Sequence, residues 1–223
     1  MQKFATTAPI ATVLDVPAGL IRFIAADRAD TTVEILPADA SKDRDVKAAA
    51  QTTAAYADGV LRIAAAPAKN RILDHPGSVE ITVQLPAGSR VEAKTAAAEL
   101  HTTGRLGDVT FESAQGTVTL DETASAHLTL MAGDVTIGRL GGPARITTQK
   151  GDLQIAEAQH GTVELTTQAG DITIGAARGV SATLDAGTAH GRIHNTLTNT
   201  DGATAGLNIR ATTSYGDITA RSI

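Results

Sequence analysis

The chain has 223 residues and a net charge of −5, and 42% of it is hydrophobic although only 2% is aromatic, with no Trp. The absence of Cys excludes disulfides, thiolate metal sites, iron–sulfur clusters and cysteine nucleophiles. The 19 Lys and Arg are scattered singly, so no basic run is available to follow a phosphate backbone, and no stretch approaches the ~20 apolar residues of a membrane span. Neither a nucleic-acid partner nor a membrane span is expected.

From the N-terminus, Met1 to Ile10 lacks the apolar stretch of a secretory signal, and a cytoplasmic location is expected. Runs rich in Val, Ile, Thr and Leu then predict strands over residues 10–16, 20–25, 32–36, 60–64 and 79–85. Asp58-Gly59 predicts a hairpin turn, because Gly accepts the positive φ that such turns need. Residues 38–51 are polar and Ala-rich and predict one short helix. Residues 66–78, with Pro67, Asn70, Pro76 and Gly77, predict an exposed loop. Residues 1–88 read as a small β-rich N-terminal unit that caps, and is fused to, residues 89–223.

From Ser89 onward the chain repeats itself. The recurring core is Gly-Asp-aliphatic-x-aliphatic, as in Gly133-Asp134-Val135-Thr136-Ile137 and Gly170-Asp171-Ile172-Thr173-Ile174. The anchor positions are 98 (an Ala), 116, 133, 151, 170, 191 and 216, spaced by 18, 17, 18, 19, 21 and 25 residues. Apolar columns lie seven and five residues before each anchor (Val163 and Leu165 for Gly170) and two and four after it (Ile172 and Ile174). Alternation with period two on both sides of a turn means two strands per repeat, both facing inward. Stacking equivalent strands about 4.8 Å apart makes each column a ladder, which is a β-solenoid of about seven two-strand rungs. The inward spacing favours a flattened coil of two sheets over a triangular hexapeptide helix.

These repeats resemble the bacterial putative-adhesin family of β-strand-repeat proteins, and its actinobacterial members most of all. The resemblance is carried by Ala18-Gly19-Leu20-Ile21-Arg22-Phe23, by Gly77-Ser78-Val79-Glu80-Ile81, and by Leu85-Pro86-Ala87-Gly88-Ser89. It continues through Thr103-Gly104-Arg105-Leu106-Gly107-Asp108-Val109, Gly191-Arg192-Ile193-His194-Asn195-Thr196-Leu197 and Thr213-Ser214-Tyr215-Gly216-Asp217-Ile218-Thr219. It implies a β-solenoid without known catalytic residues, so no active site carries over. The family's name implies surface attachment.

Three residue sets invite chemistry. Asp134, Asp152 and Asp171 fall on successive rungs and could form a carboxylate ladder, but calcium takes 6–8 oxygens and one carboxylate per rung supplies too few. Their expected role is to accept backbone N–H groups at their own turns. The six His do not converge; His190 and His194 are the near pair, with Asp185 as a possible carboxylate helper, and surface roles are expected. Glu164 and Asp185 share an outward column flanked by Arg145 and Arg210, which a surface charge ladder explains without catalysis. Of the aromatics, Tyr215 is the one expected on the outside of the repeats.

No catalytic residue, cofactor or metal is therefore expected. The reading is a non-enzymatic scaffold or adhesin-like interaction protein with a protein partner. The competing class is a carbohydrate-binding module or a carbohydrate-active β-helix enzyme. Residues 207–223 form the last repeat in the chain, and an open last rung predicts a homodimer through it.

Overall fold

In the computed structural model, which describes residues 1–66 and 77–223, the chain is all-β apart from one helix and one 3₁₀ turn. Most of the expected loop at 66–78 lies outside the described residues. The chain packs as two compact units, Met1–Gly116 and Thr117–Ile223. Each is a β-solenoid stack of two-strand rungs.

The first unit holds β1 (Gln2–Ala5), β2 (Ala11–Asp15), β3 (Ala18–Ala26), β4 (Asp30–Pro37), α1 (Asp43–Gln51) and β5 (Thr53–Ala57). It continues with β6 (Val60–Ala64), β7 (Val79–Pro86), β8 (Arg90–Lys94), β9 (Ala97–Thr103) and β10 (Arg105–Gln115). One ladder runs β5, β6, β2, β8, β10, and the other runs β1, β4, β7, β3, β9. The rung β2/β3 thus lies between β6/β7 and β8/β9, although it comes first in the chain. Its residues fall on the repeat columns: Leu14 is level with Ile63 and Ala93, and Ile21 is level with Ile81 and Leu100. All six are buried. The repeat is consequently present upstream of its first recognisable anchor. Gly19 stands level with Ala98 and has φ +150°.

The expected turn at Asp58-Gly59 has φ +51° and +78° and joins β5 to β6 as an antiparallel hairpin. Strands β1 and β5 are not predicted by the sequence reading, since both are short and carry no Val, Ile or Leu. They run antiparallel to their neighbours and form the outer strands of the two ladders. Phe4 of β1 and Tyr56 of β5 meet there at 5.8 Å between ring centroids. Helix α1 packs against β4 and β7. Its buried Asp45 accepts the backbone N–H of Ser78 at 3.0 Å.

The second unit holds β11 (Val118–Ala132), β12 (Val135–Leu140), β13 (Ala144–Thr147), β14 (Leu153–Ala158), β15 (Gly161–Thr166) and β16 (Ile172–Ala176). After these come β17 (Ala182–His190), β18 (Ile193–Thr196), β19 (Leu207–Tyr215) and β20 (Ile218–Ser222). Long β11 serves both ladders, pairing with β12 through its first half and with β13 through its second. One ladder then runs β13, β15, β19, β17 and the other runs β12, β14, β16, β20, β18. The last rung of the chain, β19/β20, is therefore an inner rung. The outer rung is β17/β18, which the chain lays down before it.

That order corrects the expectation of an open rung at residues 207–223: β19 is paired by β15 and β17, and β20 by β16 and β18. The predicted inward columns are otherwise buried, with Ile137, Ile155, Ile174 and Ile218 all at 0% exposure. On β17/β18 they open up, because no further rung covers them. Leu184 and Ala186 are half-buried there, and Ile193 is 46% exposed.

Gly170 is required by close approach as well as by conformation. At Gly170, with φ +155°, a Cβ would lie 2.0 Å from the carbonyl oxygen of Gly151 one rung away. The inward threonines beside the turn donate to those same carbonyls: Thr167 to Gly151 at 3.1 Å, Thr213 to Gly170 at 3.0 Å and Thr188 to Gly216 at 3.0 Å. This satisfies backbone acceptors that the turn leaves without a strand partner.

Candidate functional site

An Asp directly follows four of the seven anchors, at positions 134, 152, 171 and 217, and stacking brings these side chains into a column. Each carboxylate reaches across to the next rung. Asp134 Oδ1 accepts the N–H of Asp152 at 2.9 Å, Asp152 accepts from Asp171 at 2.8 Å, and Asp171 accepts from Asp217 at 2.7 Å. Asp217 Oδ1 then accepts the N–H of Arg192 at 2.8 Å. The expectation that each Asp serves its own turn is corrected here: the bond closes the neighbour's turn, which ties adjacent rungs together. The column ends on a cation, since Arg192 Nη2 lies 2.7 Å from Asp217 Oδ2. The Arg192 guanidinium's hydrogen bond, then the Arg192 backbone N–H, and last the guanidinium's charge, hold the Asp217 carboxyl below the usual carboxylate range. Among the described residues, no group of three or more His, Asp or Glu is arranged to hold a metal ion.

The outward column containing Glu164 and Asp185 is also rearranged by the rung order. Arg210 stands level with both, between them. The column reads Arg145, Glu164, Arg210, Asp185, and charge alternates at every step. Arg145 Nε donates to Glu164 Oε2 at 2.8 Å, and Arg210 Nη1 donates to Oε1 at 3.4 Å. Both cations lower the Glu164 pKa, with the Arg145 hydrogen bond the largest cause. The two carboxylates are thus not a facing pair. Arg139 similarly bridges Glu122 and Glu157, at 3.6 Å each, and Arg90 and Asp108 lie 3.2 Å apart in the first unit.

The histidines are dispersed among such features. His101 approaches Glu99 at 3.4 Å. His190, at the end of β17, stacks on Tyr215 of β19 with ring centroids 4.7 Å apart and planes 11° from parallel. Tyr215 is exposed, as expected, at 62%. Asn195 stands four residues after the anchor Gly191, in a column that is apolar on the inner rungs, and is exposed on the outer rung, where its Oδ1 accepts the N–H of Leu197 at 3.0 Å.

The surface feature that distinguishes the second unit is therefore the outer rung with its surroundings. It presents half-buried Leu184 and exposed Ile193 between two strand edges, with Asp185 on one face and Arg192 and His194 on the other. The sequence reading missed this site because it stacked the rungs in chain order. The rising anchor spacings, 21 and then 25 residues, are the signal that the last two turns are not simple neighbours.

No helix is long and apolar enough to cross a membrane, among the described residues. The model of the Toastrack DUF4097 family matches residues 75–221. A crystal structure described as a putative adhesin from Bacteroides fragilis NCTC 9343 is similar at TM-score 0.60 and 18% identity, covering 100% of this chain and 95% of that one. A putative adhesin from Parabacteroides distasonis ATCC 8503 matches at TM-score 0.43 and 14% identity, covering 100% of this chain and 95% of that one. A search of curated proteins found no match.

Proposed function

Because the chain belongs to the Toastrack DUF4097 family, we propose that it is a non-enzymatic β-solenoid whose work is to present a rigid surface to a protein partner. One observation carries this reading. Carboxylates considered above for chemistry are engaged with their neighbours on adjacent rungs, as in Arg145–Glu164–Arg210 and the Asp134-to-Asp217 column. General acid–base chemistry needs carboxyl groups held apart in pKa and converging on one substrate; cross-rung pairing lowers the pKa of Glu164 and Asp217 instead. The same pairing stiffens a regular lattice of side chains suited to recognition. The Bacteroides fragilis structure described as a putative adhesin shares the fold, which supports an interaction role.

The test is capture of partners by the tagged full chain, followed by binding of each purified candidate. A partner that binds wild type and loses affinity on reversal of the ladder, as in Arg210→Glu, supports the reading. Turnover of any polysaccharide that fails on Glu164→Ala or Asp185→Ala would overturn it.

A further inference from the structure

We infer that the outer rung β17/β18 is the docking site for a second copy of this chain, joined end to end about a two-fold axis that runs along the strands. Each strand of this rung is paired along one edge, β17 with β19 and β18 with β20. Natural sheet edges are commonly guarded by Lys, Pro or inward charges. Neither β17 (ATLDAGTAH) nor β18 (IHNT) carries Lys or Pro.

The core columns end uncovered at this rung. One rung inward, Ile209, Ala211 and Ile218 are exposed by 1%, 0% and 0%, whereas Leu184 and Ala186 are half-buried and Ile193 is 46% exposed. Covering them requires two strand edges at the spacing of the two sheets that carry apolar side chains inward. A second outer rung of the same chain offers such edges, with Leu184 and Ala186 on β17 and Ile193 on β18.

Charge selects the arrangement. A two-fold axis normal to the sheets would set β17 against β17 and bring Asp185 of each copy toward the other's Asp185. An axis along the strands sets β17 antiparallel to β18 of the second copy. Asp185 of each then shares a face with Arg192 and His194 of the other, twice over by symmetry. Asp185 is the outermost member of the alternating column Arg145, Glu164, Arg210, Asp185, and in this arrangement the charge on its face of the second copy is the cation Arg192. Like charges directly opposed on a sheet destabilise, and opposite charges stabilise.

Sedimentation equilibrium of the full chain through the micromolar range tests the idea. Wild type is expected at the dimer mass. Ile193→Lys, at a position already exposed, is expected to be monomeric with an unchanged circular dichroism spectrum; Asn195→Lys, also exposed, is the second reading should the first variant unfold. Asp185→Lys and His194→Glu should each weaken the dimer by roughly tenfold or more, and the double variant should recover it. A monomeric wild type at high concentration overturns the inference, as does a dimer that survives both Lys variants. Failure of the double variant to recover overturns the face-swapped arrangement.

Discussion

Asp217 accepts the backbone N–H of Arg192 at 2.8 Å and its guanidinium at 2.7 Å, although Arg192 precedes it by 25 residues. In every other link of this column, the acceptor comes earlier in the chain than the donor. The reversal marks where the chain steps outward, builds β17/β18, and returns to fill the gap with β19/β20. The outer rung is thereby tethered by chain at both ends, which suppresses the fraying that a free terminus would allow.

Rung order can be read directly with engineered disulfides, since the chain has no Cys of its own. Thr173 of β16 is level with Thr219 of β20, and Thr219 is level with His194 of β18. Thr173→Cys with Thr219→Cys should oxidise to a cross-link with native stability. Thr173→Cys with His194→Cys should not, because two strand spacings, about 9.6 Å, exceed the roughly 7 Å limit on Cα separation. Non-reducing mobility with peptide mapping distinguishes the two.

Gly170→Ala should destabilise by at least about 1–3 kcal/mol from backbone strain alone, since its Cβ would also sit 2.0 Å from Gly151's carbonyl oxygen. Gly206→Ala is the control. A Cβ there meets nothing within 4 Å, and no positive φ is required of the residue. Its effect on urea unfolding should lie within about 1 kcal/mol of zero, on the stabilising side.

Thr12 is buried in the first unit with its hydroxyl unpartnered, level with Leu61 and Val91 in an apolar column. Leaving a buried hydroxyl unpaired costs about 1–3 kcal/mol. Thr12→Val replaces it with a methyl of the same shape and should stabilise by about 1 kcal/mol, read as a rise in Tm.

Acid should destabilise the fold. Asp30 is held at about 2 by Arg28 and then Lys3, and Asp39 at about 2 by Ser41 and then Lys42. Asp217 and Glu164 are lowered as well. A carboxyl whose folded pKa is depressed contributes stability that is fully present above its unfolded value, near 4, and is lost as pH falls through the folded value. Urea midpoints should thus be level from pH 7 to 5 and fall between about pH 4 and 2. Arg28→Ala should remove part of that slope by relaxing Asp30.

Asp217→Ala should loosen the outer rung while sparing the inner ones. Hydrogen exchange at Arg192 N–H is expected to quicken, with Asp152 and Asp171 N–H unchanged. Equal quickening at all three would show that the column acts as one cooperative unit instead.

The repeat itself was legible because stacking demands it. A column such as Val135, Leu153 and Ile172 must be apolar at every rung, and an anchor such as Gly170 must lack a Cβ, so both leave marks at fixed spacing. Strands β1 and β5 left no such mark, because outer strands are exposed along one edge and tolerate a mixed sequence. The cross-rung reach of Asp134 to Asp152 was also illegible, since the same Gly-Asp pair would serve a bond within its own turn.

The sequence by itself determined an all-β fold of two-strand rungs with a thin aliphatic interior, because apolar columns that recur on both sides of a repeated glycine turn are buried when equivalent strands stack. Only the tertiary structure decided the order of the rungs. Leu184 and Ile209 occupy the same column and fit either place, so local pattern cannot choose between them. Long-range pairing does: β19/β20 lies against β15/β16, Arg210 falls between Glu164 and Asp185, and β17/β18 is left at the edge.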